Sequence, residues 1–225
     1  LVDWHFESIF LKGEVHQGHV FECPDFFELD GKECLIISPI RYEREGDSFH
    51  NINSSVLFTG KVDWESKRFI PETVEEIDHG QDFYAPQTLV DHEGRRIMVA
   101  WMQMWGRNIP SHELNHKWAG SMTIPRELEL VNGKLYQRLV PSIVQAFQEV
   151  KEGERVTGAV RFHLNLESSC AYLLGSEEDH LLFGYDQNRQ EVYIDRSALV
   201  YSIKGEEAIS TTLRYVTIEA VTLDV

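Results

Sequence analysis

The sequence predicts an all-β protein in which propeller blades are followed by a β-sandwich. Short apolar runs such as "CLIIS" and "RIMVAWM" are separated by the turn segments "LDGK", "DHEGR" and "VNGK", in which glycine follows an acidic or amide residue. A segment of about sixty residues repeats, and repeats of that length are typical of propeller blades. In the second half the pattern changes to strict alternation, which is typical of sandwich strands with one solvent-facing side.

The repeat carries the propeller prediction. "VDW" at residues 2–4 recurs at residues 62–64, and "ECPDFFELDGKECLIIS" is echoed by "DFYAPQTLVDHEGRRIMVAW". Pro24 corresponds to Pro86 in this echo, and Gly31 corresponds to Gly94. Each copy reads acidic residue, proline, strand, glycine turn and strand, with room for about four strands, the number found in one blade. The alignment predicts that the acidic residues of the two copies, Glu22 and Asp82, occupy equivalent places.

The echo ends after "TIPRELEL". "RLVPSIVQAFQEV", residues 138–150, shows little alternation and predicts a short helical connector. "GAVRFHLNLE" then alternates strictly, and "LLFGYDQNRQEVYIDR" predicts a hairpin that turns through residues 186–189. We therefore assign residues 1–140 to the propeller, 141–150 to a linker and 151–225 to the sandwich.

Composition and charge exclude several kinds of partner. The chain has 37 acidic and 21 basic residues, a formal net charge of -16, and such a surface repels nucleic-acid phosphates and anionic lipids. We expect no nucleic-acid partner and no membrane partner, since no stretch has the length and hydropathy of a membrane span. The three cysteines cannot all pair with one another and lack metal-ligand spacing. A reducing, cytoplasmic location is the expectation.

Two acidic residues, Glu22 and Asp25, interrupt the apolar strand "FECPDFFEL". A buried carboxylate costs free energy unless it is paired or hydrogen-bonded. Because the inner ends of propeller strands line a central pocket, Glu22 and Asp82 could both face that pocket. Glycoside hydrolysis uses such a pair, one carboxylic acid to protonate the leaving oxygen and a second carboxylate beside it. On the pattern alone, the structural alternative is favoured, in which both residues hydrogen-bond neighbouring strands.

The same stretch resembles the E-C-P-D motif of family 32 glycoside hydrolases, which include invertases, fructan hydrolases and sucrose-6-phosphate hydrolases. The similarity continues, in family order, through "ISP", Asn51, "IDHGQDFYAPQTLVDHEGRRIMVAWM", "KWAGSMTIPREL" and "EVYIDRSAL". The resemblance implies a five-bladed β-propeller joined to a β-sandwich, of which this chain would supply the later blades and an incomplete sandwich. It implies a small sugar substrate, namely sucrose 6-phosphate, sucrose or a fructan, and no cofactor.

The resemblance implies that Glu22 is the general acid/base of a retaining, double-displacement reaction. Its neighbours Phe21 and Cys23 would keep its surroundings partly dry, which favours the protonated carboxyl. Cys23 is expected to pack rather than to carry redox chemistry. Asp25 is expected to be a structural hydrogen-bond acceptor, because residues three apart on a regular strand face opposite ways.

Asp82 and Tyr84 match the family's D-x-Y-A segment, where they would touch fructosyl hydroxyls or orient the acid/base. Trp118 resembles a tryptophan that lines the pocket, and the apolar face of its ring suits packing on a sugar. For Asp82 and Tyr84, a purely structural role within a blade stays open as the alternative. Trp101 and Trp105 are predicted to be core residues, with the alternative that one of them reaches the rim of the pocket.

The loop "WGRNIPSHELNHKW" places a basic cluster beside Trp118. Arg107, His112 and Lys117 are candidate phosphate ligands, as a sucrose-6-phosphate hydrolase would need cationic groups near its pocket. A solvated loop with incidental charges is the open alternative. His112 and His116 have a spacing that suits a metal only on a helix, and Pro110 indicates a loop, so we expect no metal.

The family's nucleophile and its transition-state-stabilising Asp are expected in W-M-N-D-P-N-G and R-D-P motifs, and neither string occurs in this sequence. The chain opens without Met and stops within the strand-like run "VTIEAVTLDV", so we expect an internal segment that is inactive alone. Its open blade faces predict aggregation or homo-oligomer formation. Two functions stay open: a segment of a β-fructofuranosidase, favoured as a sucrose-6-phosphate hydrolase, and a non-catalytic carbohydrate-binding or scaffold propeller.

Overall fold

The computed structural model describes residues 2–45, 48–49, 51–78, 82–106, 115, 117–146 and 148. Beyond these residues it describes the backbone of seven short strands that begin at residue 155 and end at residue 222. Within the described residues, no helix is long and apolar enough to cross a membrane.

Two four-stranded antiparallel sheets form the first part of the chain, and in each sheet the strands lie side by side in chain order. Blade 1 consists of β1 (Val20–Leu29), β2 (Lys32–Ile40), β3 (Val56–Asp63) and β4 (Arg68–Glu76). Blade 2 consists of β5 (Tyr84–Val90), β6 (Arg96–Trp101), β7 (Arg126–Val131) and β8 (Lys134–Leu139). Consecutive four-stranded meanders are the blade architecture that the sequence repeat predicts.

The tightest turns of both blades are fixed by local sequence. Asp30 and Gly31 connect β1 to β2 with φ angles of 50° and 76°, and Asn132 and Gly133 connect β7 to β8 with φ angles of 53° and 80°. Two left-handed residues in succession make a type I′ turn, whose twist matches antiparallel strands. The prediction that "LDGK" and "VNGK" are hairpin turns is confirmed.

Blades 1 and 2 pack face to face through a shared apolar core. Side chains two residues apart on β1, β2, β6 and β7 point into this interface, because successive residues of a strand face opposite sides. Blade 1 contributes Phe27, Leu29, Cys34, Ile36, Leu57 and Ile77, and blade 2 contributes Phe83, Met98, Ala100, Leu128, Leu130 and Leu135. Burial of one such side chain stabilises the fold by about 1.5–3 kcal/mol. This core fixes the position of blade 1 against blade 2.

The second face of blade 1 is covered by the segment that precedes β1. Phe10 packs its ring against Phe26 and Phe69 with centroid separations of 5.2 and 5.9 Å, and the Phe69 N–H donates to the Phe10 carbonyl at 2.8 Å. Val2 and Trp4 are 92% and 79% exposed and lie outside the strands, whereas residues 62–63 end β3. The "VDW" part of the repeat is therefore not a shared structural feature.

The chain leaves blade 2 through a short helix, α1 (Pro141–Ala146), which confirms the predicted helical connector. β9 (Arg155–Val156), β10 (Cys170–Gly175), β11 (His180–Asp186), β12 (Glu191–Asp195), β13 (Leu199–Ile203), β14 (Glu206–Ser210) and β15 (Val221–Thr222) follow. β10, β11 and β12 form one antiparallel sheet, β13 pairs with β14, and β15 pairs with β9. The predicted β11–β12 hairpin is confirmed, and "GAVRFHLNLE" lies outside the described residues. The domain boundaries stay a prediction.

Candidate active site

Glu22 lies next to a β-bulge on β1, the first strand of blade 1. Glu22 pairs with Ser38 on β2, but Asp25 pairs with Ile36, so the register shifts between them. Cys23, in the bulge, has a φ angle of 49°. The extra residue resets the alternation of side chains. Glu22 and Asp25 therefore face the same side, toward blade 2, and the prediction that they face opposite ways is wrong.

Blade 2 repeats this bulge at the start of β5. The register between β5 and β6 shifts between Tyr84 and Gln87, and Ala85 has a φ angle of 52°. The segment Tyr84–Gln87, "YAPQ", thus corresponds position by position to "ECPD". Tyr84, and not Asp82, is the structural equivalent of Glu22. The prediction that Glu22 and Asp82 occupy equivalent places is therefore wrong: once Pro24 is matched with Pro86, the residue two before the proline is Tyr84 in the second copy.

The two equivalent residues meet across the interface between the blades. The Tyr84 hydroxyl donates to Glu22 Oε2 at 2.8 Å and lies 3.1 Å from the Ser38 carbonyl oxygen. Tyr84 is 2% exposed, whereas Glu22 is half-buried. Burial, together with the hydrogen bond and negative charge of Glu22, holds the pKa of the Tyr84 phenol well above its ordinary value. The phenol therefore keeps its proton at neutral pH and acts as a hydrogen-bond donor.

Further hydrogen bonds join the two bulges. Asp25 Oδ2 accepts from the Thr88 N–H at 2.7 Å, and Gln87 Nε2 donates to the Cys23 carbonyl at 3.0 Å. Asp25 is therefore the structural hydrogen-bond acceptor that was expected, although it reaches its partner because the bulge turns it toward blade 2. The Cys23 side chain is exposed, so the expectation that it packs is wrong: the left-handed backbone of the bulge turns it outward.

A buried ion pair, which the sequence reading missed, supports the segment that leads into β5. Arg126 Nη1 lies 2.8 Å from Asp78 Oδ2, and the two side chains are 3% and 0% exposed. Arg126 also donates to Gln137 Oε1 at 2.9 Å, and Gln137 Nε2 donates to the Ile77 carbonyl. The guanidinium carbon lies 4.8 Å from the centre of the Phe83 ring. Burial lowers the pKa of Arg126, and Asp78 opposes that shift.

The same segment buries Asp82, which is 2% exposed. Asp82 lies between Phe83 and the Asp78 ion pair in the chain, two residues before Tyr84. The structure therefore brings Glu22, Tyr84 and Asp82 to the same end of the two blades. A signal for Arg126 was present in "TIPREL", where a charged residue opens an otherwise apolar-alternating strand.

Trp118 belongs to the loop between β6 and β7 and is 48% exposed. The loop is fastened to β6, since the Thr123 N–H donates to the Ala100 carbonyl at 2.9 Å. Gly120 has a φ angle of 77°, a left-handed backbone conformation that favours glycine, and a Cβ there would lie 3.0 Å from Trp101 Nε1.

Of the candidate phosphate ligands, Lys117 is exposed, and Arg107 and His112 lie outside the described residues, as does His116. The prediction that Trp105 is a core residue is wrong, since it is 57% exposed. Trp101, whose ring packs 5.0 Å from that of Trp105, is half-buried.

Comparison with known proteins places these features in a family. Residues 1–139 match the glycosyl hydrolases family 32 N-terminal domain. A sucrose-6-phosphate hydrolase of Escherichia coli is 39% identical over 142 residues, which are 62% of this chain and 29% of the relative. A sucrose-6-phosphate hydrolase of Salmonella typhimurium is 39% identical over 222 residues, 87% of this chain and 48% of the relative.

Among solved structures, a family 32 β-fructofuranosidase of Bombyx mori is similar with a TM-score of 0.72 and 24% identity, covering 94% of this chain and 46% of that protein. A variant of that enzyme was solved in complex with sucrose. The chain thus spans less than half the length of these relatives. The structural similarity confirms the predicted all-β fold class of propeller blades followed by sandwich strands. The chain belongs to glycosyl hydrolase family 32.

Proposed function

We propose that this chain supplies the acid/base side of the active site of a retaining β-fructofuranosidase, with Glu22 as the general acid/base. One observation carries the proposal: a half-buried carboxylate between two blades accepts a 2.8 Å hydrogen bond from a buried tyrosine. Family membership and the names of the relatives supply the reaction class. The activity of the whole protein is part of this proposal.

In the first step, protonated Glu22 gives its proton to the glycosidic oxygen while the bond from that oxygen to the anomeric carbon breaks. A second carboxylate, which the family places in its W-M-N-D-P-N-G motif, bonds to the anomeric carbon, and the sugar alcohol leaves. In the second step, ionised Glu22 takes a proton from a water molecule as the water oxygen attacks that carbon, and the bond from the carbon to the second carboxylate breaks, which releases the fructosyl sugar and restores that carboxylate. Both steps require one carboxyl group that gains and loses a proton in a fixed position.

Tyr84 can serve both protonation states of Glu22. A phenol has one O–H proton, and this proton has two acceptors within reach, Glu22 Oε2 at 2.8 Å and the Ser38 carbonyl at 3.1 Å. When Glu22 is ionised, the phenol donates to the carboxylate. When Glu22 is protonated, the carboxyl donates to the phenol oxygen and the phenol proton turns to Ser38. Tyr84 thus orients Glu22 without being consumed.

The exposed fractions of Asp82 and Trp118, which both match family motifs, indicate different roles for the two residues. Asp82, at 2% exposure, suits an orienting role in the segment before Tyr84 better than direct contact with a sugar. Trp118, at 48% exposure, has a ring face available for packing on a fructosyl ring.

Sucrose 6-phosphate is the favoured substrate, with sucrose or a fructan as the alternatives. Relatives named sucrose-6-phosphate hydrolase match the chain, and the loop that precedes Trp118 carries Arg107, His112 and Lys117. Cationic side chains at that position would form charge-assisted hydrogen bonds with a phosphate.

A non-catalytic carbohydrate-binding propeller is the second candidate, because neither the nucleophile motif W-M-N-D-P-N-G nor the R-D-P motif occurs in residues 1–225. For the same reason, residues 1–225 alone are expected not to turn sugar over. Activity assays therefore use what we call the joined enzyme, in which residues 1–225 are joined to upstream blades that carry the nucleophile motif. Sugar binding without turnover in the joined enzyme would favour the second candidate.

The experiment that tests the proposal is Glu22→Gln in the joined enzyme, with sucrose and sucrose 6-phosphate as substrates. Turnover should fall by ~10²–10⁴, the usual contribution of a general acid/base, and the melting temperature should stay near that of the unsubstituted protein because the shape is kept. Glu28→Gln is the matched control: Glu28 lies on the same strand and is exposed, so its substitution should leave turnover unchanged. Retention of more than half of the activity by Glu22→Gln would end the assignment.

A further inference from the structure

Two serine hydroxyls in blade 1 are buried without a protein partner in the part of the chain that the structure describes. Ser38 is 0% exposed and Ser55 is 3% exposed, and the Oγ atom of each makes no hydrogen bond. Buried hydroxyls are nearly always hydrogen-bonded, to protein or to an ordered water, because an unmet one costs free energy. These two positions therefore need an explanation that apolar packing does not give.

The strand register places the two hydroxyls opposite each other. The Ser54 N–H donates to the Pro39 carbonyl and the Arg41 N–H donates to the Ile52 carbonyl, and Ile37 pairs with Val56. This ladder makes Ser38 and Ser55 a non-hydrogen-bonded pair, the kind in which Cα atoms are only about 4.5 Å apart and side chains are closest. The two Oγ atoms are therefore near neighbours.

Both serines face blade 2, on the same side as Glu22. Ser38 follows Ile36 by two residues and Ser55 precedes Leu57 by two residues, and Ile36 and Leu57 belong to the core between the blades. Glu22 pairs with Ser38 across β1 and β2. Glu22, Ser38 and Ser55 thus form one row across blade 1, and Tyr84 of blade 2 reaches that row at Glu22 and at the Ser38 carbonyl.

The spacing along this row suits one water molecule. Side chains directly opposite on neighbouring strands have Cβ atoms about 4.5–5.5 Å apart. A water that makes two hydrogen bonds of about 2.7–2.8 Å each can bridge oxygens up to roughly 5.5 Å apart. A buried water needs two to four polar partners, and the two serine hydroxyls and the Glu22 carboxylate would supply three.

We infer that Ser38 and Ser55 are positioning residues whose hydroxyls hold one ordered water behind Glu22, and that this water donates a hydrogen bond to the Glu22 carboxylate. The inference rests on the proposed function of Glu22 and extends it. With Tyr84 on one side and the water on the other, the carboxylate is held in one orientation while it loses and gains its proton. The hydrogen-bonded row also explains why two small polar residues continue the core-facing positions of Ile36 and Leu57.

Carboxyl ¹³C NMR of the joined enzyme labelled with ¹³C-glutamate tests the hydrogen bond without any need for turnover. The Glu22 signal is identified by its loss in Glu22→Gln. Ser38→Ala and Ser55→Ala should each move the Glu22 signal at neutral pH. Ser54→Ala is the matched control, since Ser54 is 1% exposed and its Oγ is also unpartnered, but it faces the other side of the blade. A Glu22 signal that stays in place in Ser38→Ala, or moves as far in Ser54→Ala, would overturn the inference.

Kinetics of the joined enzyme test the positioning role. Ser38→Ala should lower kcat for sucrose about tenfold, the equivalent of one hydrogen bond to a charged group, while KM changes less than about twofold, as expected for an interaction of the transition state. Ser54→Ala should leave kcat and KM unchanged. A moved NMR signal with unchanged kcat in Ser38→Ala would support the hydrogen-bonded link to Glu22 and refute the positioning role. Because the NMR result does not depend on turnover, failure of the acid/base proposal itself would be recognised separately.

Discussion

Arg126→Met should destabilise the protein more than any exposed charge substitution in blade 2. The guanidinium of Arg126 and the carboxylate of Asp78 are 2.8 Å apart, with side chains 3% and 0% exposed. Removal of one partner from a buried ion pair leaves the other charge in a poorly solvated position, which costs about 3–5 kcal/mol. A typical domain is stable by only about 5–15 kcal/mol. The substitution should therefore remove a large fraction of the free energy of unfolding.

The matched control is Arg138→Met on the adjacent strand. Arg138 pairs with Glu129, but these side chains are 52% and 44% exposed, and exposed ion pairs contribute about 0–1 kcal/mol. The assay is urea unfolding followed by tryptophan fluorescence, with the free energy of unfolding extrapolated to water for both variants. A double variant, Arg126→Met with Asp78→Leu, should recover part of the loss because the stranded charge is gone.

Loss of Arg126 should also disturb the segment that positions Tyr84 in the active site. Arg126 contacts the Phe83 ring and, through Gln137, holds the Ile77 carbonyl, so it fixes both ends of the segment that leads into Tyr84. A loss in Arg126→Met of less than about 1 kcal/mol, equal to that of Arg138→Met, would refute the reasoning that this pair acts as a buried anchor.

Four other predictions concern individual residues. Cys23 is exposed and Cys34 is buried, and burial raises the pKa of the Cys34 thiol from 9.0 to about 11. In a protein that also carries Cys170→Ser, Cys23 should therefore react with a thiol reagent at neutral pH, whereas Cys34 should react only when the protein unfolds. Because the pKa is raised, the stabilisation by neutral Cys34 is complete below pH 9.0 and is lost as the pH rises through about 11. Cys34→Ala should therefore flatten the dependence of the free energy of unfolding on pH in that interval. An unchanged pH dependence would contradict this prediction. Asp25→Ala should cost about 1–3 kcal/mol because it leaves the inter-blade N–H at 2.7 Å without its acceptor, and an unfolding midpoint equal to the parent's would count against that bond. In the joined enzyme, Lys117→Ala should raise KM for sucrose 6-phosphate more than for sucrose, by the factor that corresponds to about 1.5–3 kcal/mol; equal effects on both substrates would show that the loop does not bind phosphate.

Local chemistry explains why much of the fold could be predicted from the sequence. The turns at Gly31 and Gly133 are determined by two adjacent residues that tolerate left-handed backbone, so "LDGK" and "VNGK" indicate them directly. The repeat predicted the two blades because each blade is built from its own contiguous strands.

The site geometry was less predictable because it depends on a bulge and on contacts between blades. Regular alternation placed Glu22 and Asp25 on opposite faces, whereas the bulge at Cys23 puts them on the same face. The matching step before proline in "ECPD" and "YAPQ" was the available signal. The ion pair between Arg126 and Asp78 joins segments that are distant in the sequence, so no local sequence pattern predicts that these two residues are partners.

The measurement that tests the central claim most directly compares leaving groups in the joined enzyme that carries Glu22→Gln. Sucrose releases a poor leaving group whose oxygen must be protonated, whereas an aryl β-fructofuranoside with a strongly acidic phenol releases a stable anion that needs no proton. The account predicts a loss of ~10²–10⁴ in turnover of sucrose. It predicts a rapid burst of phenol from the aryl substrate followed by slow turnover, since only the second step then needs Glu22 as a base. Equal losses on both substrates, with no burst, would contradict the assignment of Glu22 as the general acid/base.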